Sequence, residues 1–305
     1  MKKRVKAPVR FSHLNPALRA AAALPDSERV MHIRADRWIG YPRAIAALAR
    51  LEALLNWPRK QRMPNLLLIG PTNNGKSMII EKFLRGHRAA GGDADREIVP
   101  VVAVQMPSDP SINRFYAMLL AALGAPLRPR MRTQELEHQA LALLRAVGTR
   151  LLIIDELHNI LAGPMRLQLE FLNLIRFLGN ELKIPIIGVG TKEAYLAIRS
   201  DSQLENRFEP VALPVWQEGD EVRSLLSSFA ASYPLRRPSV LGTETVARYL
   251  LARSEGTIGE IAQLLRAAAI AAIESGAEAI TAQTLTLAHY ESPSQRRHAF
   301  ERELA

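Results

Sequence analysis

The string Gly70-Pro71-Thr72-Asn73-Asn74-Gly75-Lys76-Ser77 meets every fixed position of G-x-x-x-x-G-K-[ST]. That spacing suits a polyphosphate. Glycines at the two ends let the backbone curl so that successive N–H groups point inward as an anion nest. Lys76 then reaches the terminal phosphates, and the Ser77 hydroxyl supplies an oxygen to Mg²⁺. A helix starting at Lys76 and running on through Met78 adds the positive end of its dipole. Further along, Leu151-Leu152-Ile153-Ile154 runs straight into Asp155-Glu156. An apolar strand ending in two carboxylates delivers both to the sheet edge where a phosphate loop lies. Asp155 is placed to hold Mg²⁺ through water and Glu156 to polarise an attacking water. The expected ligand is ATP with Mg²⁺.

These residues converge only if each sits at the end of a strand in one sheet. Asn65–Ile69 reads as a buried strand entering the loop, and Lys76–His87 as the helix leaving it. Four more strands are expected at Ile98–Gln105, Leu151–Ile154, Ile184–Val189 and near 208–213. Helices are expected at 43–56, 111–123, 134–147, 165–181 and 191–199. The alternation predicts the α/β class, a parallel sheet with helices on both faces. After Pro214 the strand signal stops. Segments 218–232, 243–253, 258–274 and 281–290 read as helices, with Pro234, Pro238, Gly256 and Gly276 in the gaps. The chain is therefore expected to divide into a basic arm over 1–36, a core over 37–214, a helical domain over 215–290 and a polar tail over 291–305.

The 305 residues are 48% hydrophobic and 23% charged, which suits a globular core plus a smaller domain. There is no cysteine, so disulfides and thiolate metal sites are excluded. No apolar run approaches the length of a membrane helix, and no apolar signal region follows the basic N-terminus. No membrane partner is expected, and a cytoplasmic location is. The net charge of +10 favours a polyanionic partner, nucleic acid first. Lys2, Lys3, Arg4, Lys6, Arg10 and Arg19 form one basic cluster, Arg59, Lys60 and Arg62 a second, and Arg128-Pro129-Arg130-Met131-Arg132 a third. Each either meets DNA phosphates or is a solvated surface.

A strand ending in Asp-Glu, followed after the fifth strand by a helical domain, resembles the AAA+ class of ATPases. The strings Arg37-Trp38-Ile39-Gly40-Tyr41-Pro42, Arg62-Met63-Pro64-Asn65-Leu66-Leu67-Leu68-Ile69-Gly70, Asn73-Asn74-Gly75-Lys76 and Asp155-Glu156-Leu157-His158-Asn159 narrow this. In their order and spacing they resemble the TniB family, transposon-borne ATP-binding proteins related to TnsC, from about Pro25 to His289. The resemblance implies an AAA+ P-loop core with a helical lid, slow regulatory ATP hydrolysis, and homo-oligomers (filaments or rings) on double-stranded DNA. It also implies recruitment and activation of a DDE transposase, and contact with a TniQ-type target-selection protein.

By the same resemblance Thr191, after the fourth strand, stands where AAA+ proteins carry the polar sensor of the γ-phosphate; capping the next helix is its other reading. Arg207, just before the fifth strand, stands where they carry an arginine finger, with Arg199 in reserve; a salt bridge to Glu205 or Glu209 is the plainer alternative. Trp38, Ile39 and Tyr41 line the adenine pocket or simply the core. Lids of the class often carry a sensor arginine where this chain reads Gly256-Thr257-Ile258-Gly259-Glu260-Ile261, and Arg266 lies two turns on. His158 has no second ligand at zinc spacing, so a polar role beside Glu156 is expected. Two other functions share the phosphate motif: a helicase loader or other ATP-driven DNA-associated switch, and a small-molecule P-loop kinase.

Overall fold

The computed structural model describes residues 11–88, 90–91, 97–128 and 130–304. Lys2, Lys3, Arg4, Lys6 and Arg10 of the first basic cluster and Pro129 of the third lie outside the described residues. The chain forms two compact units, one of Met1–Pro42 with Val215–Ala305, the other of Arg43–Pro214.

The first unit opens with helix α1 (Asp26–Arg34). The second unit begins within α2 (Pro42–Leu55) and continues through β1 (Asn65–Ile69) and α3 (Lys76–Gly86). A small antiparallel ribbon of β2 (Ala90–Gly91) and β3 (Glu97–Ile98) precedes β4 (Val101–Gln105). Helices α4 (Ile112–Ala122) and α5 (Thr133–Ala146) lead to β5 (Leu151–Asp155). Then come α6 (Met165–Leu182), β6 (Ile186–Gly190), α7 (Lys192–Arg199), the short α8 (Ser202–Glu205) and β7 (Phe208–Ala212).

The five long strands form one sheet in the order β4-β5-β6-β1-β7, and every neighbouring pair is parallel. Consecutive residues Leu66, Leu67 and Leu68 are all at most 1% exposed. Side chains alternate across a strand, so both faces of β1 are covered, as both faces of a parallel sheet must be. Register aligns Ile69 with Gly190 on one side and Ala212 on the other, and Asp155 with Gln105. The carboxyl ends of β1, β5, β6 and β7 therefore share one edge. Below it, Phe115 of α4 packs edge-on against Phe171 of α6, with ring centres 5.2 Å apart.

Two strand starts differ from the sequence expectation, and proline explains both. β4 begins at Val101 because Pro100 has no N–H to give the ladder; its carbonyl instead accepts from Arg150 and Leu151. β6 begins at Ile186 because Pro185 interrupts the run in the same way, its carbonyl accepting from Leu152.

The other unit is helical: α1, α9 (Asp220–Ala230), α10 (Glu244–Ser254), α11 (Ile258–Glu274), α12 (Ala282–Leu287) and α13 (Pro293–Leu304). The segment expected as a loose basic arm is grouped with these helices. Arg29 of α1 is fully buried and reaches both carboxylate oxygens of Glu278 at 2.7 Å, while also pairing with Asp26. The segment expected as a polar tail carries α13, whose Arg296 donates to Glu260 at 2.7 Å. No single helix among the described residues is long and apolar enough to cross a membrane.

Candidate nucleotide site

At the exit of β1 the backbone turns so tightly that a β-carbon on Gly70 would lie 2.8 Å from the Leu213 carbonyl oxygen. Only glycine fits that approach. Gly75 closes the loop in the left-handed region at φ 87° and caps α3. Between them, Pro71, Thr72 and Asn73 are exposed, and Asn73 is also left-handed. Asn74 is 2% exposed and donates to the carbonyls of Leu213 and Pro214, at 2.7 and 2.9 Å. The loop is thus stapled to the end of β7. Lys76, also buried, donates from Nζ to the carbonyls of Gly70 and Pro71, each at 2.7 Å. Burial pulls its ammonium below the usual lysine range, against the opposing charges of Glu156 and Asp155. Ser77 is exposed at the helix start and Met78 is half-buried behind it.

Asp155 ends β5 half-buried, its Oδ1 accepting the Glu156 N–H at 2.8 Å. Burial raises its carboxyl above the ordinary range, with the Glu156 charge adding to the rise and the amide, Lys76 and His158 opposing it. Glu156 adopts φ 54°, a left-handed conformation uncommon outside glycine and frequent where function constrains the chain. It opens a 3₁₀ turn over Leu157–Ala162. Within that turn His158 Nε2 lies 3.1 Å from Glu156 Oε2, and His158 Nδ1 is buried with no partner.

Thr191 follows β6 as the first residue before α7, yet its side chain does not cap the helix. Its hydroxyl donates to Glu193 instead. A hollow of about 460 Å³ lies beside it, lined by Ile69, Gly70, Pro71, Thr191, Lys192, Glu193, Ala212, Leu213 and Pro214. Thr191, the loop, Asp155 and Glu156 are therefore brought to one sheet edge.

Arg207 lies elsewhere. It precedes β7, and β7 runs parallel to β1, so Arg207 stands at the sheet edge opposite the loop. It pairs with neither Glu205 nor Glu209. Glu205 holds Arg199 at 3.5 Å and Glu209 holds Arg50, while Arg207 donates to the neutral Asn180 at 2.9 Å. With Lys60 and Arg62 it lines a hollow of about 500 Å³. In the helical unit, Tyr41 is buried edge-on to Trp216 at 5.1 Å, with Trp38 and Ile39 half-buried nearby in the chain. Arg266 pairs with Asp36 at 3.8 Å.

The donor set fits a nucleoside triphosphate with a hard divalent cation. A glycine-lined loop opens onto a helix N-terminus, a buried ammonium stands beside it, and the oxygens on offer are a hydroxyl at Ser77 and a carboxylate at Asp155. No cluster of three or more His, Asp or Glu residues able to hold a metal occurs among the described residues. Mg²⁺ is usually held by one or two protein oxygens with phosphates and water. The Asn74 staple was not legible in the sequence, because its partners lie 139 and 140 residues away. The contact between Glu156 and His158 was signalled only by their proximity in the chain.

The family model described as Bacterial TniB protein matches residues 29–218. The ORC1 protein of Aeropyrum pernix, solved in complex with DNA, is similar in structure at 18% identity and a TM-score of 0.57, covering 88% of this chain and 69% of that one. The Drosophila ORC solved bound to DNA is similar at 16% identity and a TM-score of 0.54, covering 94% and 68%. Likeness at such identity shows the fold, and the fold is the AAA+ P-loop fold. The ATP-binding subunit ClpL of an ATP-dependent Clp protease from Lactococcus lactis subsp. lactis is 27% identical over 171 residues, 54% of this chain and 21% of that protein. This chain thus spans about a fifth of the length of the curated relative it matches. With the family match covering more than half of its residues, the chain belongs to the TniB family.

Proposed function

We propose that this chain is an ATP-driven, DNA-associated regulator of transposition, which binds ATP with Mg²⁺, assembles on double-stranded DNA, and recruits and activates a DDE transposase. The observation that carries this reading is the gathering of the Gly70–Ser77 loop, Asp155, Glu156 and Thr191 at one sheet edge in a chain of the TniB family. The amides of Gly70–Ser77 and the Lys76 ammonium bind the phosphates, while Ser77 and Asp155 hold Mg²⁺. When bound, the metal ion neutralises charge that develops on the phosphate oxygens. Glu156 accepts a proton from the water that attacks the γ-phosphorus, and ADP and inorganic phosphate leave. Thr191 reads the γ-phosphate, and the family resemblance assigns the adenine to Trp38, Ile39 and Tyr41.

Arg207 cannot serve the loop of its own chain, because a five-residue strand of roughly 16 Å separates the two sheet edges. In the proposed assembly, a homo-oligomer, filament or ring, it serves a nucleotide on a second copy. The net charge of +10 supports DNA contact. The family resemblance supports a TniQ-type protein as a further partner and a bacterial cytoplasmic setting.

The test is electron microscopy of the purified chain with duplex DNA and a non-hydrolysable ATP analogue. Ordered assemblies are expected on DNA only with nucleotide, and they should dissolve as salt rises, since phosphate contacts release counterions. A chain that stays dispersed at low salt with both ligands contradicts the reading. Capture of a replicative helicase in place of a transposase would favour the loader.

A further inference from the structure

We propose that His158 is the positioning residue for Glu156, holding its carboxylate through Nε2 and tying it to the exit of β6. This deepens the reading above and rests on Glu156 as the group that polarises the attacking water.

The geometry is specific. Nε2 lies 3.1 Å from Glu156 Oε2, whereas Nδ1 is buried with no partner. A proton on Nδ1 would be buried without an acceptor, so the ring proton belongs on Nε2, the nitrogen beside the carboxylate. The turn also packs against the exit of β6. A β-carbon on residue 190 would stand 3.4 Å from both the His158 amide nitrogen and Nδ1, so Gly190 leaves room for the turn to pack directly on the end of β6. The next residue is Thr191, whose hydroxyl is bonded to Glu193. Glu193 and Asp155 are the other carboxylates within electrostatic reach of the imidazole. His158 therefore lies beside Glu156 and against the exit of β6, one residue before Thr191. A base held by a third group in this way is a recurring device, and the Glu156 side chain is half-exposed.

The experiment measures phosphate release and ATP affinity in parallel for the wild type and for the variants His158→Ala, His158→Gln and Glu156→Gln. His158→Ala is expected to lower kcat by about 10–100-fold, the usual cost of losing an orienting partner, with ATP affinity unchanged. His158→Gln keeps an N–H donor at similar reach and should recover most of the rate. His158→Asn, polar but too short to reach Oε2, must show the loss as well and replaces the alanine variant if that one fails to fold. A wild type that loses hydrolysis on Glu156→Gln but is indifferent to both His158→Ala and His158→Asn overturns this proposal alone. So does a glutamine variant no better than alanine. A wild type indifferent to Glu156→Gln overturns the reading of Glu156, and this proposal with it.

Discussion

A methyl group on residue 70 would meet the Leu213 carbonyl at 2.8 Å, and neither backbone has a flexible side chain to yield. Gly70→Ala is therefore expected to push the loop away from β7 and to weaken ATP binding, at a stability cost of about 1–3 kcal/mol. Thermal melting with and without ATP checks both effects. At this scale the sequence was most informative about local backbone. The glycine positions, Lys76, Ser77 and the Asp155-Glu156 pair could be named from motif spacing alone; Lys76 bonds Gly70 and Pro71, and Glu156 bonds Asp155, all near in the chain. Side chains with distant partners were not so legible. Asn74 reads as one more cradle residue and instead staples the loop to Leu213 and Pro214. Thr191 reads as a γ-phosphate sensor or a helix cap, and its hydroxyl bonds Glu193; Arg207 reads as an arginine finger, with a salt bridge to a nearby acid as the alternative, and it bonds Asn180. No local pattern records those choices.

Among the elements, the strands were legible as runs of apolar residues, with errors at Pro100 and Pro185, where a missing donor delays the ladder. Helix α1 was not expected, because only Arg29 and Ile33 of its nine residues are buried and no apolar stripe marks it. Its anchor is the buried Arg29, held by Glu278 and Asp26. Arg29→Ala leaves Glu278 half-compensated and should cost the helical unit about 3–5 kcal/mol in denaturant unfolding. The same pair predicts a pH dependence. Burial alone pushes the Glu278 carboxyl up, but hydrogen bonds from Arg29 and the Arg236 amide, with the charges of both arginines, hold it below its ordinary 4.5. A carboxyl lowered by folding contributes stability that is fully present above its unfolded value and lost as pH falls through its folded value. Melting of the helical unit should therefore fall steeply on acidification below 4.5, and Glu278→Gln should flatten that dependence. An unchanged acid limb in the variant would assign the loss to other groups.

For the whole molecule, Arg207 stands the length of β7 away from the loop, so under the proposed function hydrolysis depends on assembled copies. Phosphate release per chain is expected to rise with protein concentration and with added DNA. Arg207→Ala should remove that rise while leaving ATP affinity intact; a rate independent of concentration in the wild type would return Arg207 to a surface role. The division into a sheet unit and a helical unit was visible in the sequence as the loss of strand signal after Pro214, whereas the return of the N-terminal segment to the C-terminal helices was not. In the proposed function, assembly and partner recruitment depend on a triphosphate closing onto the loop after β1. Calorimetric titration of ATP with Mg²⁺ into the purified chain tests this directly. The wild type should take up one nucleotide per chain with saturation, and Lys76→Ala should take up none. A wild type that releases no heat of binding, or an alanine variant that binds as tightly, would contradict the account.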